Sequence, residues 1–134
     1  MLRVGIDVVS VSRIEESLER FGERFLRRVF TPAEIGYALA APAQKAERLA
    51  ARFAAKEAAI KALDLAERGV GWTQIEIVRE PAGQVRLALA GEAAAAAANR
   101  RLAVSMSHEG DFATAVVVVD APADPSTTLE SLPT

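Results

Sequence analysis

The chain has 134 residues, of which 51% are hydrophobic and 25% charged, and a formal net charge of −2 at pH 7. This length suffices for one domain with its own core, and the absence of cysteine excludes disulfides, thiolate metal sites and a cysteine nucleophile. A weakly acidic chain with 5% aromatic residues and no long apolar run predicts a cytoplasmic protein without nucleic-acid or membrane partners.

The first elements follow from alternation and helix-start signals. In "LRVGIDVVSV" every second residue is apolar, which predicts a strand with Asp7 near its C-terminal end. Ser12 and Glu15 have the spacing of a capping box, so we expect a helix that begins near Arg13. Gly22 leaves open whether one helix or two short helices follow.

The remaining elements are predicted from caps, turns and composition. Thr31, followed by Pro32, predicts a second helix start, and a long helix is expected from Pro42 to Ala66. Two strands, "TQIEIVRE" and "QVRLALAG", precede a short alanine-rich helix. The strands "LAVSMS" and "FATAVVVVD" then form a hairpin around the turn "HEGD".

This order of elements predicts the fold class. One strand, several helices, two strands, a short helix and two more strands indicate an α+β domain. We expect a single domain over residues 1–120, with a largely antiparallel sheet and helices packed on one of its faces. Residues 121–134 are rich in Pro, Ser and Thr, which is typical of a disordered tail.

The first helical region carries a segregated set of positive charges. On a helix, five arginines share one sector, and four glutamates share another: Arg13, Arg20, Arg24, Arg27 and Arg28 against Glu15, Glu16, Glu19 and Glu23. Solvated Glu–Arg pairs explain such a surface adequately. Segregation of the two signs slightly favours the alternative, a docking surface for an acidic partner.

The long helix carries a second stripe. Lys45, Arg48, Arg52 and Lys56 follow one another at helical spacing. The neighbouring stripe contains Glu57 and Lys61, whose i,i+4 spacing by itself favours an ordinary ion pair. The alternative is a phosphate and Mg²⁺ site, because Mg²⁺ binds one or two carboxylates and completes its shell with phosphate and water.

Two further residues are candidates for the same site. Asp7 is the natural second carboxylate, since an acid in an apolar strand needs compensation. His108 is the single histidine, which excludes a multi-histidine zinc site. A histidine beside a turn is most often simply exposed; flanked by Ser107, it is also a candidate phosphate ligand.

Four segments together resemble a known family. "GIDVVSVSRIEE", "FGERFLRRVFTPAEI", "ARFAAKEAAIKAL" and "SMSHEGDFATAVVV" resemble, in this order, the blocks of the holo-acyl-carrier-protein synthase family, the short bacterial class of 4′-phosphopantetheinyl transferases. The resemblance extends over nearly the whole chain up to Asp120. The combination of G-x-D near the N-terminus with R-F-x-x-K-E-x-x-x-K is highly specific.

The resemblance implies roles for individual positions. Asp7 and Glu57 correspond to the two Mg²⁺ ligands of the family, and Lys61 to the lysine at the coenzyme A pyrophosphate. Other positions match the coenzyme A site or its surroundings: Lys45, Arg52, Lys56 and His108. Three match the basic positions that receive the acidic helix of the carrier protein: Arg13, Arg24 and Arg28.

The resemblance also implies the reaction and the assembly. Such enzymes move the 4′-phosphopantetheine arm of coenzyme A to a serine of an apo acyl carrier protein and release 3′,5′-ADP. A homotrimer with active sites at subunit interfaces is expected, and Asp7 and His108 can then serve a site shared between chains. The general base stays open between Glu57 and a bound water. Two alternatives remain: a module that binds coenzyme A without transfer, and a purely structural trimer.

Overall fold

The computed structural model describes residues 2–120, so the predicted tail at 121–134 lies outside the described part. Its helices and strands follow in this order: β1 Leu2–Ser10, α1 Val11–Phe21, α2 Glu23–Val29, α3 Pro32–Leu39, α4 Lys45–Leu63, β2 Ile75–Arg79, β3 Val85–Leu89, α5 Gly91–Ala97, β4 Arg101–Glu109 and β5 Phe112–Asp120. Short 3-10 turns precede α4 and β2. None of the described helices is long and apolar enough to span a membrane.

Two antiparallel sheets organise the strands. β5 lies between β1 and β4 in a three-stranded sheet, while β2 and β3 form a separate hairpin. Helix α4 packs across one face of the larger sheet and carries most of the alanine-rich core. The predicted α+β class with antiparallel strands and helices on one face is therefore confirmed.

The strand β1 presents opposite surfaces to α4 and to solvent. Alternation turns Gly5 and Val9 toward the core, as expected for a strand. The other face exposes four large apolar side chains to between 59% and 69%: Leu2, Val4, Ile6 and Val8. Phe112, at the start of β5, is 58% exposed. A single chain thus leaves an apolar sheet face uncovered.

Several predicted boundaries differ from the structure. The Ser12–Glu15 capping box does not form, because α1 begins at Val11 directly after β1. The long helix is shorter than predicted and ends at Asp64, which adopts a left-handed conformation (φ 56°). The predicted "HEGD" turn is narrower, since β4 continues through His108 to Glu109. The break at Gly22 does occur, at a positive φ of 55°.

The helix start predicted at Thr31 is present as a capping box whose contacts extend beyond its helix. The Thr31 side chain accepts the Glu34 N–H, and the Glu34 carboxylate accepts the Thr31 N–H at 2.9 Å. The second carboxylate oxygen of Glu34 accepts the N–H of Ile77 in β2 at 2.9 Å. This buried side chain therefore ties α3 to the small sheet.

Candidate active site

The site is built where β1 crosses α4, and Gly5 permits the close approach. A Cβ atom placed on Gly5 would lie 2.0 Å from the carbonyl oxygen of Ala58 and 2.9 Å from the nitrogen of Ala62. Only a residue without a side chain lets the strand and helix backbones meet so closely. The glycine of the G-x-D segment thus brings Asp7, two residues later, against α4.

Asp7, Glu57 and Lys61 converge at this crossing. The Lys61 ammonium donates to the carboxylate of Asp7 at 3.2 Å and to the carbonyl of Ile6 at 2.9 Å. Lys61 therefore forms its ion pair with Asp7 and not with Glu57, the partner that the i,i+4 spacing favoured. Thr114 on β5 donates to the Asp7 carbonyl at 2.8 Å, so the neighbouring strand also holds β1 in place at this point.

The two carboxylates accumulate negative charge in a half-buried position. Burial is the main cause that raises the pKa of Glu57, the charge of Asp7 raises it further, and Lys61 opposes both. A divalent cation would relieve this repulsion. The described residues contain no cluster of three or more His, Cys, Asp or Glu side chains that could enclose a metal. Two carboxylates are a donor set that suits Mg²⁺, which takes its remaining ligands from phosphate and water.

Lys56, predicted at the coenzyme A site, is instead a core residue. Its side chain is completely buried, and its three donors are used by the Glu34 carboxylate at 2.8 Å and by the carbonyls of Trp72 at 3.1 Å and Ile75 at 2.6 Å. A lysine without exposed surface or free donor cannot contact a ligand. The structure therefore gives Lys56 a role in the core, and a place next to the coenzyme A site stays a prediction for it.

A second charged region surrounds Tyr37. The guanidinium carbons of Arg48 and Arg52 lie 4.0 and 4.2 Å from the centre of its ring. Arg79 from β2 donates to the Tyr37 hydroxyl at 2.9 Å, and Arg48 donates to its carbonyl at 2.7 Å. Stacking on an aromatic face holds the guanidinium groups close together despite their like charge. We call these four residues the arginine cluster.

The arginine cluster lines a cavity of about 360 Å³ and is short of negative charge. Within residues 2–120, Arg52 Nε is the one buried side-chain nitrogen or oxygen without a hydrogen-bond partner. Burial is the main cause that lowers the pKa of Arg52, and Arg48 and Arg79 add to it, whereas Tyr37 and Glu34 oppose it. An anion entering the cavity would supply the missing partner.

His108 and Lys45 lie at or near this cavity. His108 and Ser107 line its wall from β4, and His108 Nδ1 is 4.0 Å from the carboxylate of Glu47. The imidazole is more than half exposed, so it is free to meet a ligand. Lys45 is the first residue of α4 and follows Gln44, which also lines the cavity.

The two charged regions lie on different sides of α4. Five positions separate Arg52 from Glu57, so their side chains point roughly 140° apart around the helix and are about 8 Å apart along it. A ligand bound by both regions of one chain would have to pass around α4.

The predicted docking positions form a separate surface. Arg13 on α1 and Arg24 and Arg28 on α2 are all exposed. Their neighbour Arg27 pairs with Glu23 at 3.6 Å, an exposed i,i+4 contact. Phe21, the last residue of α1 before Gly22, is 52% exposed.

Sequence reasoning missed three important side chains. Tyr37 and Arg79 belong to the arginine cluster, yet they lie on α3 and β2, and no spacing rule connects them to α4. Glu34 lies three residues after Thr31 at the predicted helix start, but its partner Lys56 is on another helix. The sequence offered only a weak signal, a glutamate and a tyrosine in the same short helix, and nothing in the spacing indicated their partners.

Comparisons with known proteins agree with these features. A sequence model of the ACPS family, described as the 4′-phosphopantetheinyl transferase superfamily, matches residues 3–117. The "Holo-[acyl-carrier-protein] synthase" of Koribacter versatilis is 47% identical over 124 residues, which cover 90% of this chain and 98% of that protein. The corresponding protein of Gloeobacter violaceus is 46% identical over 120 residues, 87% of this chain and 91% of that one.

Solved structures with the same fold include complexes. The Chronobacterium ammoniagenes ACPS-CoA complex has a TM-score of 0.80 at 36% identity, covering 91% of this chain and 98% of that one. Helicobacter pylori holo-[acyl-carrier-protein] synthase in complex with coenzyme A has a TM-score of 0.76 at 36% identity, covering 87% and 99%. The chain therefore belongs to the holo-acyl-carrier-protein synthase family of the 4′-phosphopantetheinyl transferase superfamily.

Proposed function

We propose that this chain transfers the 4′-phosphopantetheine arm of coenzyme A to a serine of an apo acyl carrier protein, releases 3′,5′-ADP and depends on Mg²⁺. The observation that carries the proposal is the convergence of Asp7, Glu57 and Lys61 in a chain of this family. In the reaction, the serine oxygen bonds to the phosphorus that bears pantetheine, and the bond from that phosphorus to the bridging pyrophosphate oxygen breaks. The serine proton leaves to a base.

Asp7 and Glu57 are the residues that would hold the Mg²⁺ ion. When bound, the ion would neutralise charge on the pyrophosphate. Burial of Glu57, and after it the charge of Asp7, raises the pKa of Glu57, so a cation is electrostatically favoured beside the two carboxylates. Glu57 can receive the serine proton only while the metal does not occupy its carboxylate, so the base stays open between Glu57 and a bound water.

Lys61 supports the leaving group. Its ammonium has three donors, of which one is used by Ile6 and one by Asp7, so one remains available to a phosphate oxygen. The side chain is 54% exposed, unlike that of the buried Lys56 five residues earlier. Charge-assisted donors of this kind stabilise negative charge that develops on a leaving phosphate.

The arginine cluster would hold the phosphate of coenzyme A that is not part of the pyrophosphate, with His108 and Lys45 beside it. The support is the buried guanidinium of Arg52, whose Nε has no partner among residues 2–120, in a cavity lined by basic side chains. Arginine and histidine bind phosphate through several directed hydrogen bonds. The ligand thereby gains a second anchor away from the reacting phosphorus.

The active assembly is a homotrimer whose sites lie between subunits, as the family resemblance implies. The uncovered apolar face of β1, with Val4 66% and Ile6 60% exposed, needs a partner surface. Placement of Arg52 and Glu57 on different sides of α4 agrees with one ligand bridging two chains. Light scattering should give the mass of three chains, and Val4→Glu with Ile6→Glu should reduce it; a wild-type monomer with full activity would contradict the assembly.

The exposed arginines Arg13, Arg24 and Arg28 would receive the acidic carrier protein. Their exposure keeps them available, and opposite charge accelerates encounter between partners. The interaction should weaken as salt screens exposed charges.

A mass measurement tests the proposed function directly. The protein is mixed with coenzyme A, Mg²⁺ and an apo acyl carrier protein, and the carrier is weighed by mass spectrometry. Gain of one phosphopantetheine mass, absent when Mg²⁺ is chelated, is expected. Binding of coenzyme A without transfer to any of several carriers would instead favour a binding module.

A further inference from the structure

The junction between β1 and α1 needs a cap that its own residues do not supply. β1 ends at Ser10 and α1 begins at Val11, so no loop separates them. Ser10 occupies the N-cap position, but its side chain accepts no backbone N–H of the helix, and its hydroxyl instead lies 2.8 Å from that of Ser12. The first N–H groups of any helix lack partners within the helix.

Asp111, in the turn between β4 and β5, provides the missing partners. Its carboxylate accepts the Ser12 N–H at 2.9 Å and the hydroxyls of Ser10 and Ser12 at 2.8 Å each. Its carbonyl accepts the Val11 N–H at 2.7 Å. A carboxylate at this position also interacts favourably with the helix dipole. Asp111 therefore caps α1 from about a hundred residues away in the chain.

These contacts join three parts of the proposed site. β1 carries Asp7 three residues before Ser10, and α1 presents Arg13 directly after Ser12. The turn that contains Asp111 follows His108 on β4. This link sets where the basic surface begins relative to the strand that holds Asp7.

We propose that Asp111 is a positioning residue that fixes the start of α1, and with it the carrier-docking surface, relative to Asp7. The inference rests on the proposed function. The side chain of Asp111 touches neither the arginine cluster nor the Asp7–Glu57–Lys61 crossing, so coenzyme A binding should not depend on it. A docked carrier must present its serine in line with the phosphorus, and a shifted α1 misaligns it.

The hydrogen bonds from Ser10 and Ser12 are the main causes that lower the pKa of Asp111, so its carboxylate is ionised at neutral pH. The titratable residues around the link are exposed and include Arg13 and Glu109. In Asp111→Ala the backbone bond from Val11 to residue 111 remains, so the variant should still fold. In Asp111→Asn the amide oxygen can still accept the Ser12 N–H.

The experiment compares steady-state kinetics of the full chain with coenzyme A and an apo acyl carrier protein. Asp111→Ala should raise the carrier KM about five- to tenfold, the factor that one lost helix cap represents, with the KM for coenzyme A changed less than about twofold. Asp111→Asn should recover most of the effect. Glu92→Ala, which removes a carboxylate from the first turn of α5, is the matched control and should behave as wild type.

An unchanged carrier KM, or equal rises for both substrates, would overturn the positioning role. Hydrogen exchange on the same variants separates this failure from failure of the proposed function. The Ser12 amide should exchange at least about fivefold faster in Asp111→Ala. If the wild-type chain transfers nothing, the proposed function is wrong, and unchanged Ser12 exchange then also overturns the link.

Discussion

Replacing Lys56 by methionine is expected to destabilise the fold, although a sequence motif groups this residue with ligand contacts. The substitution keeps the length of the side chain but removes a charge that pairs with the buried Glu34 at 2.8 Å. Removing one partner of a buried ion pair costs about 3–5 kcal/mol, because the other charge stays buried without compensation. The carbonyls of Trp72 and Ile75 lose their donor as well. This is a large part of the roughly 5–15 kcal/mol that stabilises a typical domain.

Urea unfolding followed by circular dichroism measures this cost. With a slope of about 1–3 kcal/mol per molar urea, the midpoint for Lys56→Met should fall by more than about 1 M. Lys61→Met is the matched control on the same helix: its exposed pair with Asp7 contributes only about 0–1 kcal/mol, so stability should hold while transfer is lost.

A second variant checks the cause. Adding Glu34→Gln to Lys56→Met removes the unpaired charge and should recover part of the lost stability, since an amide still accepts a backbone N–H. A midpoint for Lys56→Met within about 0.3 M of wild type would refute the reasoning, because a buried pair cannot be broken at so small a cost.

Three further predictions concern the site and its surface. Glu57→Gln should abolish transfer, yet at a pH above the raised pKa of Glu57 it should raise the Tm of the metal-free protein. This gain in Tm should shrink as the pH falls toward 4.5, where Glu57 becomes protonated in both the folded and the unfolded chain. An unchanged Tm at pH 8 would contradict the causes assigned to the raised pKa. Gly5→Ala should lower stability by more than about 2 kcal/mol, measured by urea unfolding, because its Cβ would lie 2.0 Å from the Ala58 oxygen; wild-type stability would disprove the close approach. Arg24→Glu with Arg28→Glu should raise the carrier KM at least about tenfold in steady-state assays and leave the KM for coenzyme A unchanged; equal effects would argue against a separate docking surface.

Short-range patterns predicted the elements well and their ends less well. The helix start at Thr31 and the antiparallel hairpins depend on neighbours within a few residues, which the sequence shows directly, whereas the sequence left the break at Gly22 open. The start of α1 was wrong because its cap, Asp111, comes from a distant turn. Local spacing favoured Ser12 and Glu15 as a capping box, whereas in the structure Ser12 donates to Asp111.

Most residues of the candidate site were predicted from the family pattern. G-x-D and R-F-x-x-K-E-x-x-x-K indicated Asp7, Glu57 and Lys61 before any contact was known, while helical spacing alone favoured a Glu57–Lys61 ion pair. The structure gives Lys61 a different partner, Asp7, which lies on another element. Spacing within one helix cannot identify a partner that a neighbouring strand supplies.

The sequence by itself determined the order of strands and helices, the α+β class and the family. It also determined which residue types are present for charge and phosphate chemistry. Only the tertiary structure decided what each charge does. Lys56 and Arg52 belong to one basic stripe. Glu34 and two carbonyls surround Lys56, whereas Tyr37 and an open cavity border Arg52. The reason is physical: a charged side chain's role follows from its desolvation and its partners, and both are set by elements far away in the chain.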